Sequence, residues 1–154
     1  MRVDELDIPD SVADALMSAG FRELHPPQAE AIPKALEGRN LVAAIPTASG
    51  KSLIGMIPAL KLLAQHGGKV LYIVPLKALA AEKRDDFDVF SERLGFRVHM
   101  STGDLDSDDR GLSDADVVVA TSEKADSMIR HGSPWMRDVR LVIADEVHMI
   151  HDPG

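Results

Sequence analysis

Leu141-Val142-Ile143-Ala144 is an unbroken apolar run of strand length that ends directly on Asp145 and Glu146. A run of this kind suits a strand buried on both faces, the habit of parallel sheets. It belongs to the last of five strand candidates, at residues 40–45, 70–74, 96–100, 116–120 and 140–144. Helical stretches at 51–65, 78–94 and 122–131 lie between them, the first with Leu53, Ile54, Ile57, Leu60 and Leu63 as its apolar positions. This alternation predicts an α/β fold, a mostly parallel sheet flanked by helices on both faces. Two shorter helices are expected ahead of it, at 11–19 and 28–37, the second bent at Pro33 and stopped by Gly38. They read as an N-terminal helical cap over residues 1–38, with the main domain at 39–154.

Open α/β sheets bind ligands in the crevice at the carboxyl ends of their strands. At one such end stands Ile45-Pro46-Thr47-Ala48-Ser49-Gly50-Lys51-Ser52, between a strand and a helix. Backbone N–H groups of such a loop hold phosphates without reorganising. Gly50 permits close approach of the main chain, Lys51 sets a point charge against the β and γ groups, and the Ser52 hydroxyl can ligate magnesium. The strict G-x-x-x-x-G-K-[ST] pattern fails at its first position, where Ile45 replaces glycine. A Gly-Lys-Ser turn opening an ordinary helix is the plainer alternative.

The acidic pair at the end of the last strand weighs against that alternative. Asp145 is positioned to hold Mg²⁺, directly or through water, and Glu146 to orient and deprotonate an attacking water. An acidic pair that merely suits a helix N-terminus is the competing reading. Taken with Lys51 and the following His148, the pair predicts a site that splits a nucleoside triphosphate.

Bulk properties are consistent with one soluble domain: 154 residues, 45% apolar and 27% charged. The start, Met1-Arg2-Val3-Asp4-Glu5, is acidic and has no apolar core, and no apolar run is long enough to span a bilayer. A cytoplasmic setting without membrane association is therefore expected. There is no cysteine, hence neither a disulfide nor a thiolate zinc site, and the six histidines are scattered, only His148 and His151 sharing helical spacing. The net charge of −8 runs against nucleic-acid binding, yet much of it sits in Asp104, Asp106, Asp108, Asp109, Asp114 and Asp116. That block fails as a calcium loop, with Asp109 where glycine is required and Ala115 where glutamate is required, and reads as solvated. Lys77, Lys83, Arg84, Lys124, Arg130 and His131 are left as a local positive surface for phosphates.

Several further segments complete a recognisable set: Pro26-Pro27-Gln28, Pro75-Leu76-Lys77-Ala78-Leu79-Ala80, Ser101-Thr102-Gly103-Asp104, Thr121-Ser122-Glu123-Lys124-Ala125-Asp126-Ser127 and Asp145-Glu146-Val147-His148. With the phosphate loop they resemble the first motor domain of superfamily 2 helicases of the Ski-like, DExH-box group. The likeness is strongest to the archaeal replication-fork branch related to the helicase half of polymerase theta, and it covers nearly the whole chain. It implies a RecA-like P-loop NTPase using ATP and Mg²⁺, tolerates Ile45, and adds His148 to the catalytic set. Gln28 resembles an adenine-reading glutamine, whose amide matches adenine N7 and N6 and so favours ATP; helix capping or a surface position is its alternative. Phe21 is placed either to stack on the base or to pack in the core.

The same resemblance makes single-stranded or forked DNA the expected partner, with RNA as the alternative, and a monomeric 3′-to-5′ motor acting in fork repair and recombination the expected function. Pro75, Lys77 and Ala78, Thr102 and Gly103, and Thr121, Ser122 and Lys124 open helices or follow strands, where backbone N–H groups can grip a nucleic-acid phosphate. Trp135, the single tryptophan, is expected to pack rather than stack on a base. The chain stops at Asp152-Pro153-Gly154, ahead of the strand that the family inserts beside the phosphate-loop strand and ahead of the second motor domain. The sheet is accordingly expected to be incomplete at its C-terminal side and the piece alone nearly inactive, an arginine finger from the second domain contributing on the order of 10³ to 10⁵ in rate. A non-catalytic adaptor that binds nucleotide or nucleic acid is the reading from another functional class.

Overall fold

The computed structural model describes residues 1–37, 52–65, 67–102 and 112–145. Two compact units are present, Met1–Gly67 and Gly68–Gly154. The expected boundary between residues 38 and 39 lies outside the described residues, as does the expected strand at 40–45.

The first unit is helical: α1 at Asp10–Ser18, α2 at Pro26–Leu36 and α3 at Ser52–Gln65, after a 3-10 turn at Val3–Glu5. α2 starts two residues earlier than expected because Pro26 and Pro27 occupy the first turn, where a missing N–H costs nothing and the fixed φ suits the helix. It continues through Pro33 to Leu36. Val12, Leu16, Ile32, Ile57 and Leu60 are fully buried in this unit. At the helical spacing of α3, Leu53, Ile54, Ile57 and Leu60 form the buried side, whereas Leu63 is only half-buried.

The second unit is a sheet with helices. β1 spans Lys69–Val74, β2 Val98–Ser101, β3 Val117–Thr121 and β4 Val139–Ala144, with α4 at Lys77–Leu94 and α5 at Ser122–Arg130. The strands are ordered β2-β3-β1-β4 and every pair is parallel. This is the expected α/β architecture, and helical crossovers explain it: a strand returning parallel to its predecessor needs a long connection. Side-chain alternation divides the strands between two faces. Leu71, Val118 and Ala120 join Ala125, Met128 and Trp135 in one cluster, on the α5 side. On the other face Tyr72 meets Phe87 of α4 edge to face, with ring centres 5.7 Å apart.

β4 departs from the expected burial on both faces. Its residues alternate half-buried and exposed, and Val142 is 54% exposed. The ladder explains the pattern. A register shift at Lys69/Val70 brings Leu141 opposite Val70 and Ile143 opposite Tyr72, while Val142 pairs with Leu71. Leu141 and Ile143 therefore share the α4 face, and Val142 and Ala144 share the α5 face. Among the described residues β4 is the end strand of the sheet, and α5 lies over β3 and β1.

Trp135 is a packing residue. Its indole N–H donates to the Ala115 carbonyl at 2.9 Å, the Lys69 ammonium donates to the same carbonyl at 2.6 Å, and that ammonium sits 5.7 Å from the indole centre. One buried carbonyl thus ties the start of β1, the loop before β3 and the 3-10 turn at Pro134–Asp138.

Candidate functional site

The parallel ladders bring four strand ends to one edge of the sheet. Val74 is level with Thr121, Ser101 with Ala120, and Ala144 with Ile73. Thr102, Ser122, Pro75 and Asp145 therefore follow one another, in that order, along a single edge, the crevice side of an open α/β sheet. Lys77 and Ala78 are exposed in the first turn of α4, which has no side-chain cap. The first turn of α5 is built differently. Thr121 Oγ1 accepts from the Lys124 amide at 3.4 Å, and the Ser122 hydroxyl donates to the Val74 carbonyl at 3.2 Å. Both hydroxyls thus brace the α5 terminus and its junction with β1, which leaves backbone N–H groups as the means by which this turn can meet a phosphate.

Asp145 is the chemical centre of this edge. Its amide extends the ladder by donating to the Ile73 carbonyl at 2.9 Å. Alternation after Ile143 directs its side chain to the α4 face, where Oδ2 accepts the Tyr72 hydroxyl at 2.7 Å. The Lys83 ammonium lies 3.9 Å from the same oxygen and 3.7 Å from Asp86 Oδ2. The Lys83 side chain is only 10% exposed and that of Asp145 11%. A buried ion pair contributes little net stability, because desolvation offsets attraction, but removing one partner costs about 3–5 kcal/mol. Burial raises the Asp86 carboxyl above its ordinary range, and Lys83 opposes the rise.

Lys83 overturns one expectation. Its sequence context places it among the cations open to nucleic acid, yet it is buried in the inward stripe of α4 with Ala80, Phe87 and Phe90. Tyr72 and Lys83 are the functional candidates that motif reading missed. The signal for Lys83 was its place in that stripe, a charge at a position where helical spacing calls for an apolar side chain. Nothing in the sequence singles out Tyr72.

Gln28 is fully buried at the start of α2. Its Oε1 accepts the His25 amide at 2.8 Å, a capping box in which the side chain satisfies a backbone donor at the helix start. Capping therefore accounts for one lone pair of the amide. Phe21 is 38% exposed, so it does not belong to the core.

Pro46, Thr47, Ala48, Ser49, Gly50 and Lys51 of the phosphate loop, Gly103, Glu146 and His148 lie outside the described residues, as do residues 104–109 of the acidic block. Ser52 is described as the first residue of α3. Among the described residues no group of three or more His, Cys, Asp or Glu side chains could hold a metal, and no helix is long and apolar enough to cross a membrane. For a metal shared with nucleotide oxygens a full protein cage is not needed, and Asp145 offers the hard oxygen that magnesium prefers.

Known proteins carry the same pattern. The chain is 52% identical over 151 residues to the ATP-dependent DNA helicase Hel308 of Pyrococcus abyssi, covering 97% of this chain and 21% of that protein. The corresponding Hel308 of Methanocella arvoryzae is 50% identical, with 100% of this chain and 21% of that protein covered. Thus the chain spans about a fifth of the length of these relatives. Among solved structures, the DUF1998 helicase MrfA bound to DNA and AMPPNP superposes with a TM-score of 0.82 at 26% identity, over 92% of this chain and 21% of that one. A hypothetical ATP-dependent RNA helicase from Sulfolobus tokodaii gives 0.80 at 25% identity, over 93% of this chain and 43% of its own. The family model described as DEAD/DEAH box helicase matches residues 25–154, with the buried Gln28, the strand-end segments and Asp145 all inside the match. The chain belongs to the DEAD/DEAH box helicase family.

Proposed function

We propose that this chain is the ATP-binding first motor domain of an ATP-dependent 3′-to-5′ DNA helicase that acts on forked or single-stranded DNA in replication-fork repair, in a cytoplasmic setting. The observation that carries the reading is the alignment of Asp145 with Pro75, Thr102 and Ser122 along one edge of a parallel sheet. It is supported by about 50% identity to proteins named ATP-dependent DNA helicase and by the likeness to a helicase crystallised with DNA and AMPPNP.

ATP with Mg²⁺ supplies the phosphoanhydride bond and the neutralising charge. In this reading residues 46–51 cradle the phosphates through main-chain N–H groups, with Lys51 against the β and γ oxygens and Ser52 and Asp145 as the metal-holding pair. Glu146 takes the proton of the attacking water, and His148 completes the catalytic set beside it. Gln28 reads adenine through its amide, and Phe21 is exposed enough to stack on the base.

Along the same edge, Pro75, Lys77 and Ala78, Thr102 and Gly103, and Thr121, Ser122 and Lys124 hold successive backbone phosphates of one strand. A second motor domain closes over the nucleotide and DNA. The test is strand separation by the protein at its natural length on forked DNA, with unlabelled DNA or RNA as competitor. DNA should compete effectively and RNA poorly; equal competition by RNA excludes the DNA-specific reading.

A further inference from the structure

Lys83 is an unusual occupant of its position. Ala80, Phe87 and Phe90 share its stripe on α4, and all four residues are buried. Placing an ammonium there costs desolvation unless a negative group compensates it. Compensation comes from two carboxylates, Asp145 at 3.9 Å and Asp86 at 3.7 Å. The Asp145 oxygen it faces is the same Oδ2 that accepts the Tyr72 hydroxyl. Phe87, one turn along α4 from Lys83, packs edge-on against the Tyr72 ring, so one helix face sets both contacts.

We propose that Lys83 is a positioning residue that acts as the resident counter-charge of Asp145 and competes with the divalent cation for it, so that this buried ammonium sets how much Mg²⁺ the nucleotide site requires. The proposal rests on the reading of Asp145 as a metal-holding residue. Its physical basis is that two cations facing one carboxylate repel each other strongly where water is largely excluded, and that both draw on the same negative charge. Tyr72 plays a different part: its hydroxyl carries no net charge and fixes the carboxylate in place. The charge of residue 83, rather than its shape, should therefore govern metal demand.

The experiment is a calorimetric titration of a non-hydrolysable ATP analogue into the protein at its natural length, repeated over a range of Mg²⁺ concentrations to find the half-saturating level. Lys83→Met should lower that level on the order of tenfold, as expected for loss of a nearby like charge. Lys83→Gln, which is neutral but polar, should shift it in the same direction and serves if the methionine variant does not fold. Lys83→Arg should restore the wild-type level. Asp145→Asn separates the two readings: if it leaves the Mg²⁺ dependence intact, the metal role of Asp145 falls and this inference falls with it. If Asp145→Asn abolishes the dependence while the neutral Lys83 variants leave the half-saturating level unchanged or raised, the competition by Lys83 alone is overturned.

Discussion

Tyr72 and Asp145, 73 residues apart in the chain, meet through a 2.7 Å hydrogen bond from the phenol to the carboxylate. The bond links the middle of β1 to the residue just past β4 and holds the acidic strand end against the α4 face. Hydrogen bonds to charged groups contribute about 1.5–3 kcal/mol. Tyr72→Phe keeps the ring against Phe87 and removes this bond, so chemical denaturation should show a loss of at least about that size with an unchanged circular dichroism spectrum. An unaltered midpoint would mean that the hydroxyl contributes nothing to the fold.

Trp135 should behave as a structural tryptophan. Trp135→Phe loses one donor to the Ala115 carbonyl, which still receives Lys69, so the expected cost is about 1 kcal/mol. Trp135→Ala also empties a buried ring site and should cost about 3–5 kcal/mol. Because it is the only tryptophan, its emission should lie to the blue in the folded protein and move to the red in denaturant.

Gly68 and Gly95 both have positive φ, at +100° and +74°, but only Gly68 is crowded. A Cβ at Gly68 would lie 2.7 Å from Arg140 Cδ, whereas at Gly95, the left-handed cap of α4, nothing is within 4 Å. Gly95→Ala should therefore cost about 1 kcal/mol from backbone conformation alone, and Gly68→Ala should cost more. In an Arg140→Ala background the share of the Gly68→Ala cost that comes from crowding should vanish, leaving the backbone share. A double-mutant cycle on melting data reads the difference directly.

Asp86 gives a pH prediction with a definite sign. Its carboxyl is raised from 3.8, first by burial, so the folded state holds the proton more tightly than the unfolded state. The native state then binds more protons through this window, and stability from this group, full below 3.8, is lost as pH rises through the folded value. Asp86→Asn removes that dependence. Melting temperatures measured from pH 3 upward should show the variant gaining on the wild type across the mildly acidic range; a constant difference contradicts the assignment.

The strands and helices of the second unit were legible because β1, β3 and β4 carry short apolar runs and each helix begins at a polar or proline break. Boundaries moved by only one or two residues, as at Val98, where Phe96 and Arg97 precede the ladder. The burial of β4 was not legible, because composition shows that Val142 is apolar but not that, among the described residues, β4 ends the sheet with Val142 exposed. The partners of Asp145 were hidden for a similar reason. Tyr72 and Lys83 come from different elements, and only the parallel register together with the face of α4 brings them to one carboxylate. Gln28 illustrates a residue with two chemical readings: Pro26-Pro27-Gln28 resembles an adenine-reading segment, and the three-residue spacing of Gln28 from His25 makes a capping box.

The central claim is that Lys51, Asp145 and Glu146 serve one bound ATP. It is tested most directly by DNA-stimulated ATP hydrolysis in the protein at its natural length, comparing Lys51→Ala, Glu146→Gln and the double variant. Loss of the general base alone should lower turnover about 10²- to 10⁴-fold. Because residues acting on one transition state are not additive, the double variant should be scarcely worse than the weaker single one. Wild-type turnover in either single variant would contradict the account.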